Sequence, residues 1–114
     1  MEHYMKLNDS PFQSVKRGVK TIEIRLNDEK RQQIQHGDKI VFTNLSTSET
    51  ERVKVIAIKK YDTFQALLKD FTNVEVGFSE EMQLSQKLAQ IYQIYTQTSE
   101  LEYGALAIKI ERSI

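Results

Sequence analysis

The 114-residue chain has no cysteine and no tryptophan, a single proline, four glycines and two histidines. Without cysteine there is neither a disulfide nor a thiolate metal site. His3 and His36 are far apart and form no H-x-E or H-x-x-x-H spacing, so no metal site is expected. The glycines never cluster into a phosphate-cradling loop, and no cofactor is expected. Apolar runs are only a few residues long, too short to span a bilayer. The opening MEHYMKLND lacks the apolar core of a secretory signal. These absences lead to the expectation of one cytoplasmic domain over residues 1–114 with no membrane partner.

What is present is ordinary for a globular domain: 28% charged and 39% hydrophobic residues. The net charge of zero conceals an asymmetry. Residues 1–60 hold 12 Lys/Arg against 8 Asp/Glu, whereas residues 61–114 hold 4 against 8. A basic first half permits an anionic partner without requiring one.

Along the chain, MKL at residues 5–7 reads as a first short strand, with His3 at its start. Ser10-Pro11-Phe12-Gln13 announces a helix, with Ser10 as N-cap and Gln13 closing a capping box. Gly18 supplies its left-handed stop, and a strand over 19–26 follows. Asn27 and Asp28 suit the cap of a short helix through EKRQQI, ending at His36-Gly37. A strand follows over 38–42, a polar hairpin turn over 44–51, and a strand from Arg52 to Lys60 with aliphatics on both faces, as in the centre of a sheet. Phe64, Leu67, Leu68 and Phe71 form a helical stripe capped by Asp62 or Thr63. A connection over 72–78 leads to a helix from Ser79 whose stripe is Leu84, Leu88, Ile91, Tyr92 and Tyr95. The last strand lies in GALAIKIE, where Leu106, Ile108 and Ile110 share a face. The order β-α-β-α-β-β-α-α-β predicts an α+β domain with a curled sheet, whose closure into a barrel would hide its edges.

The stretch GVKTIEIRL, residues 18–26, carries three full charges through a strand. Alternation places Ile22, Ile24 and Leu26 on a core face and Thr21, Glu23 and Arg25 on the other. Lys20 falls on the apolar side by strict count, so it is expected at the strand mouth, its ammonium free to reach round towards the first helix. A pair of exposed charges, Glu23 with Arg25, would contribute only about 0–1 kcal/mol. With Lys20 the row offers one acceptor, two cationic donors and a hydroxyl, which suit a base edge and a phosphate and equally suit an ion network that binds nothing.

Gly18-x-Lys20-x-x-Glu23-x-Arg25 resembles the G-x-K-x-x-E-x-R signature of the ASCH domain, within the PUA-like superfamily. His3-x-Met5-x-Leu7, Pro11-Phe12, Asp28-Glu29-Lys30-Arg31, Gly37-Asp38-x-Ile40-x-Phe42 and Tyr103-Gly104-Ala105-Leu106-Ala107-Ile108 look like the small bacterial stand-alone members. The resemblance implies a PUA-like β-barrel of about five to six short strands with flanking helices. It also implies a cleft between the first helix and the barrel, and a protein that binds RNA or a nucleotide. Lys20, Glu23 and Arg25 then become the leading binding residues.

Three functions follow from these residues. In the first, a binding module takes RNA or a modified nucleoside or nucleotide: Lys20 and Arg25 meet phosphate or base acceptors, Glu23 accepts from an amino group, Phe12 and Tyr103 stack, and His3 flanks the cleft. Substituting Lys20 or Arg25 by Ala is expected to weaken binding and to leave the thermal midpoint nearly unchanged. In the second, the chain is a hydrolase. Some small ASCH proteins resemble it and deamidate acetylated cytidine with a lysine, a threonine and a glutamate, for which Lys20, Thr21 and Glu75 are the candidates. Their threonine occupies the position held here by Glu23, and Thr21 lies about 6–7 Å away along the strand, which disfavours that activity; a metal-free nuclease is the other hydrolase. In the third, a partner docks on the acidic stretch 70–86, which holds Asp70, Glu75, Glu80 and Glu81 and no Lys or Arg.

Overall fold

The computed structural model describes residues 1–113, in which five strands form one mixed sheet. They are β1 (Glu2–Leu7), β2 (Ile22–Leu26), β3 (Lys39–Asn44), β4 (Thr50–Tyr61) and β5 (Ala105–Arg112), in the order β1-β3-β4-β5-β2. β1 runs parallel to β3, and the other neighbours are antiparallel. The α+β expectation holds: the sheet curls into a half-barrel with helices outside it. β4 is central, as its two aliphatic faces predict, and a bulge between Val55 and Ala57 increases its bend. None of the described helices is long and apolar enough to cross a membrane.

Two apolar clusters sandwich the sheet. Met5, Leu7, Ile40, Phe42, Val53, Val55, Leu106, Ile108 and Ile110 fill the inside of the curl, plugged by Phe12 and Val15 of α1 (Asp9–Lys16) and by Ile34. The outer face carries Ile22, Leu26, Ala105 and Ala107 and is covered by α2 (Phe64–Lys69), α3 (Asn73–Val76), α4 (Leu84–Ile91) and α5 (Gln97–Tyr103). The carboxylate of Glu100 on α5 ties that layer together, accepting from the Phe64 N–H and the Tyr92 hydroxyl, both at 2.7 Å.

Several local expectations shift. The cap of α1 is Asn8, not Ser10, and Gln13 donates to Asp9 rather than closing a box. EKRQQI forms only a 3-10 turn, Arg31–Gln33. Asp28 does accept from the Arg31 N–H, but Ile34 is the sole apolar residue of that stretch, so a longer helix has nothing further to bury. Thr63 caps α2 as read, accepting from the Ala66 N–H. The connection at 72–78 holds α3, whose capping box pairs Thr72 with Glu75 and which ends at Gly77 in the left-handed region. The helix expected from Ser79 begins at Leu84, because the Asn73 amide holds the carbonyls of Ser79, Glu80 and Met82 in a turn. The polar TQTSE is the start of α5, capped by Thr96.

Candidate functional site

At the end of α1 the chain must reverse into β2. Gly18 does this at φ +76, as its place in the sequence predicts. The N–H groups of both Val19 and Lys20 then donate to the Ser14 carbonyl, at 2.9 and 3.1 Å, which fixes the Lys20 backbone against α1. The Thr21 N–H donates to the Glu75 carbonyl, and the Thr21 carbonyl accepts from Ile110. The Lys20 side chain does not reach towards α1. It crosses Gly77, where an added Cβ would lie 2.8 Å from Lys20 Cδ, and ends at Glu23. Gly77 is therefore required twice, for its φ of +87 and for the lysine stem that lies on it.

The three motif charges converge. Glu23 Oε2 accepts from Arg25 Nε at 2.6 Å, and Lys20 Nζ stands 2.7 Å from Glu23 Oε1. The lysine approaches at an angle that makes a charge contact but no aligned hydrogen bond, so Oε1 is buried without a well-directed donor. Burial pushes the Glu23 carboxyl up, yet attraction to Lys20 and then to Arg25 overrides it and holds the group below the ordinary carboxylate value. Burial likewise works against the charge on Arg25, and Glu23, with the Tyr95 phenol beside it, outweighs that and keeps the guanidinium charged.

The strand's two faces alternate as predicted, but both are covered. Residues opposite one another on antiparallel strands share a face, and Glu23 and Arg25 stand opposite Ile108 and Leu106, inside the curl. Glu23 is only 2% exposed, so this is no surface ion pair. Arg25 Nη2 also donates to the Lys6 carbonyl at 3.1 Å. Lys6 is on β1 and Arg25 on β2, the two edges of the sheet, so the guanidinium closes with a side chain the seam that no backbone ladder closes.

Beside the triad a cavity of about 270 Å³ lies between the C-terminal end of α1 and the barrel. Val15, Val53 and Ile110 make its apolar wall, and Lys20, Thr21 and Arg112 bring polar groups. It exists because β5 outruns β2: Ile22 is the first residue of β2 and pairs with Lys109, leaving Glu111 and Arg112 with β4 alone. Lys20, itself 9% exposed, joins triad and cavity, while Glu23 and Arg25 lie behind it and do not line the opening.

The other expected residues lie elsewhere. Phe12 is wholly enclosed in the inner core and offers no free ring face, because the apolar helix face it belongs to is what plugs the barrel. His3 is buried on the inner face of β1, with Nε2 2.8 Å from Asp38 Oδ2. Tyr103 is partly buried on the outer cluster with its hydroxyl towards Glu29, and it does not line the cavity. The Glu75 carboxylate accepts from the Thr72 N–H and hydroxyl, so it is committed to the cap of α3. Sequence reasoning missed Arg112, although continuing the alternation Leu106, Ile108, Ile110 by one step would have put it on the inner face.

A family model described as the ASCH domain matches residues 5–113. The chain belongs to the ASCH domain family. This ASCH domain is similar to the crystal structure of hypothetical protein PH0355, at 32% identity and a TM-score of 0.86, over 99% of this chain and 100% of that one. It is also similar to the solution structure of protein PF0455 from Pyrococcus furiosus, at 32% identity and a TM-score of 0.79, over 98% and 97%. An ASCH domain from Lactobacillus crispatus JV V101 shares the fold at 12% identity and a TM-score of 0.61, over 96% of this chain and 79% of that one. The likeness thus extends beyond bacterial members. No protein of curated function matches the chain.

Proposed function

We propose that this ASCH domain binds RNA or a nucleotide-sized ligand, in the cytoplasm, at the cavity that opens onto Lys20. The observation that carries this reading is the junction of a buried triad with that cavity. Two cations face one carboxylate, so the group holds an uncompensated positive charge in a low-dielectric setting, where an anion is strongly favoured. Lys20 is the member of the triad that also lines the cavity. Glu23 and Arg25 hold it there, acting through Lys20 rather than on the ligand. The apolar wall suits a base, and the ammonium and the Thr21 hydroxyl suit its polar edge.

The test is fluorescence anisotropy with a labelled single-stranded RNA of mixed sequence. Affinity is expected to fall as salt rises, and Lys20→Met to weaken binding about tenfold, with circular dichroism confirming a folded variant. Equal binding by wild type and Lys20→Met would overturn the assignment. The hydrolase alternative has less to draw on, since Glu23 is held by two cations and the Glu75 carboxylate is occupied at Thr72.

A further inference from the structure

We infer that Arg112 forms a phosphate subsite at the lip of the cavity, so that the ligand is a nucleoside carrying a phosphate rather than a free nucleoside. This rests on the reading of the cavity as a nucleotide site and adds the part of the ligand that would be held outside it.

The cavity alone is small. Its volume of about 270 Å³ falls below the roughly 300–1,000 Å³ typical of pockets that enclose a drug-sized ligand. Room for one base and little more implies that the rest of the ligand emerges over the rim. The residue at that rim is Arg112. It stands opposite Val53 on β4 and one pleat beyond Ile110, so it continues the face of the apolar wall, with its side chain half exposed.

Arg112 is also the less committed of the two cations lining the cavity. Lys20 is nearly buried and 2.7 Å from Glu23, whereas the Arg112 side chain is 49% exposed and its one ion pair among the described residues, with Glu51, is loose at 3.7 Å. A guanidinium in that state retains free donors, and its planar fork matches phosphate oxygens in pairs. Gly18 faces it across the lip, where an added Cβ would make only an ordinary van der Waals contact, 3.7 Å from Arg112 Cδ. Glu111 also lines the cavity, but it alternates to the opposite face of β5, where it pairs in register with Lys54.

The division of labour is then definite. Lys20 and Thr21 read the base edge inside, Val15, Val53 and Ile110 enclose the base, and Arg112 takes the phosphate outside. Isothermal titration of the full chain with uridine, cytidine, adenosine and guanosine, and with their 5′-monophosphates, tests it. At least one monophosphate should bind about tenfold more tightly than its own nucleoside, and Arg112→Ala should erase that difference, lowering monophosphate affinity far more than nucleoside affinity. Arg112→Lys should restore part of it. Equal binding of nucleoside and monophosphate by the wild type would overturn the subsite, as would an Arg112→Ala variant that keeps the preference or weakens both ligands alike. Wild-type binding of neither class nor of the mixed-sequence RNA would instead remove the nucleotide reading, and the subsite with it. Arg112 lies at a half-exposed strand end, and an unchanged thermal midpoint would confirm that its loss is local.

Discussion

Replacing Arg25 by Met removes one cation from a buried triad, and the cost follows from the geometry. The guanidinium sits 2.6 Å from Glu23 Oε2 and also donates to the Lys6 carbonyl at 3.1 Å. Breaking a buried pair costs about 3–5 kcal/mol, most of it from the stranded partner. Lys20 remains against Glu23, so the lower end of that range applies, about 3 kcal/mol. For a domain near 100 residues, each kcal/mol moves the thermal midpoint by roughly 4 °C, which gives a fall of about 12 °C. Urea denaturation followed by circular dichroism reads the free energy, and a thermal melt reads the midpoint. The double variant Arg25→Met with Glu23→Gln should be more stable than Arg25→Met alone, by about 1 kcal/mol or more, because the stranded charge is gone. A folded Arg25→Met protein within about 0.5 kcal/mol of wild type would refute the reasoning, since that is what an exposed pair gives.

Gly77→Ala should destabilise by about 1–2 kcal/mol, from its left-handed φ and the contact with Lys20 Cδ, and should weaken RNA binding by displacing the lysine; an unchanged melt and unchanged affinity would contradict this. Glu23 has its folded pKa held below its ordinary value of 4.5, so the stability it adds is fully present above about pH 4.5 and is lost as pH falls through the lower folded value; Glu23→Gln should flatten the acid limb of a stability–pH curve. Burial, and then the hydrogen bond to Glu100, push the Tyr92 phenol up to about 12. Ultraviolet titration should show a tyrosine ionising near pH 12, and Tyr92→Phe should remove that step. The stability it adds is present below about pH 10 and disappears as pH rises through about 12, and Glu100→Gln should bring the transition down without restoring the ordinary value.

Much of the scaffold is legible in the chain, and the exceptions have physical causes. Gly18, the central strand β4, the stripe of α2 and the cap at Thr63 follow from local chemistry alone. In β2 the alternation assigns each side chain to the correct face, but it cannot reveal that both faces are covered. That depends on α2 to α5 packing on one side while the barrel curls over the other, a long-range arrangement with no local signature. The expectation that loss of Lys20 or Arg25 leaves stability untouched assumed an exposed row, and burial of Glu23 replaces it with the cost worked out above. α5 has no apolar stripe because its one buried residue is Glu100, a carboxylate serving as a bridge between helices. α3, by contrast, did carry a readable signal: Thr72-x-x-Glu75 with Gly77 just after it is a capping box with its stop. Phe12 illustrates the opposite error, since an aromatic at a helix start can as readily plug a core as stack on a base.

The most direct test of the account is a nitrogen–proton NMR titration of the labelled protein with a nucleoside monophosphate. Shift changes are predicted to concentrate at Gly18, Lys20, Thr21, Val53, Ile110 and Arg112, around the cavity. Changes confined to the far side of the helical layer, at the exposed Ile94 and Leu101, with the cavity signals still, would contradict it.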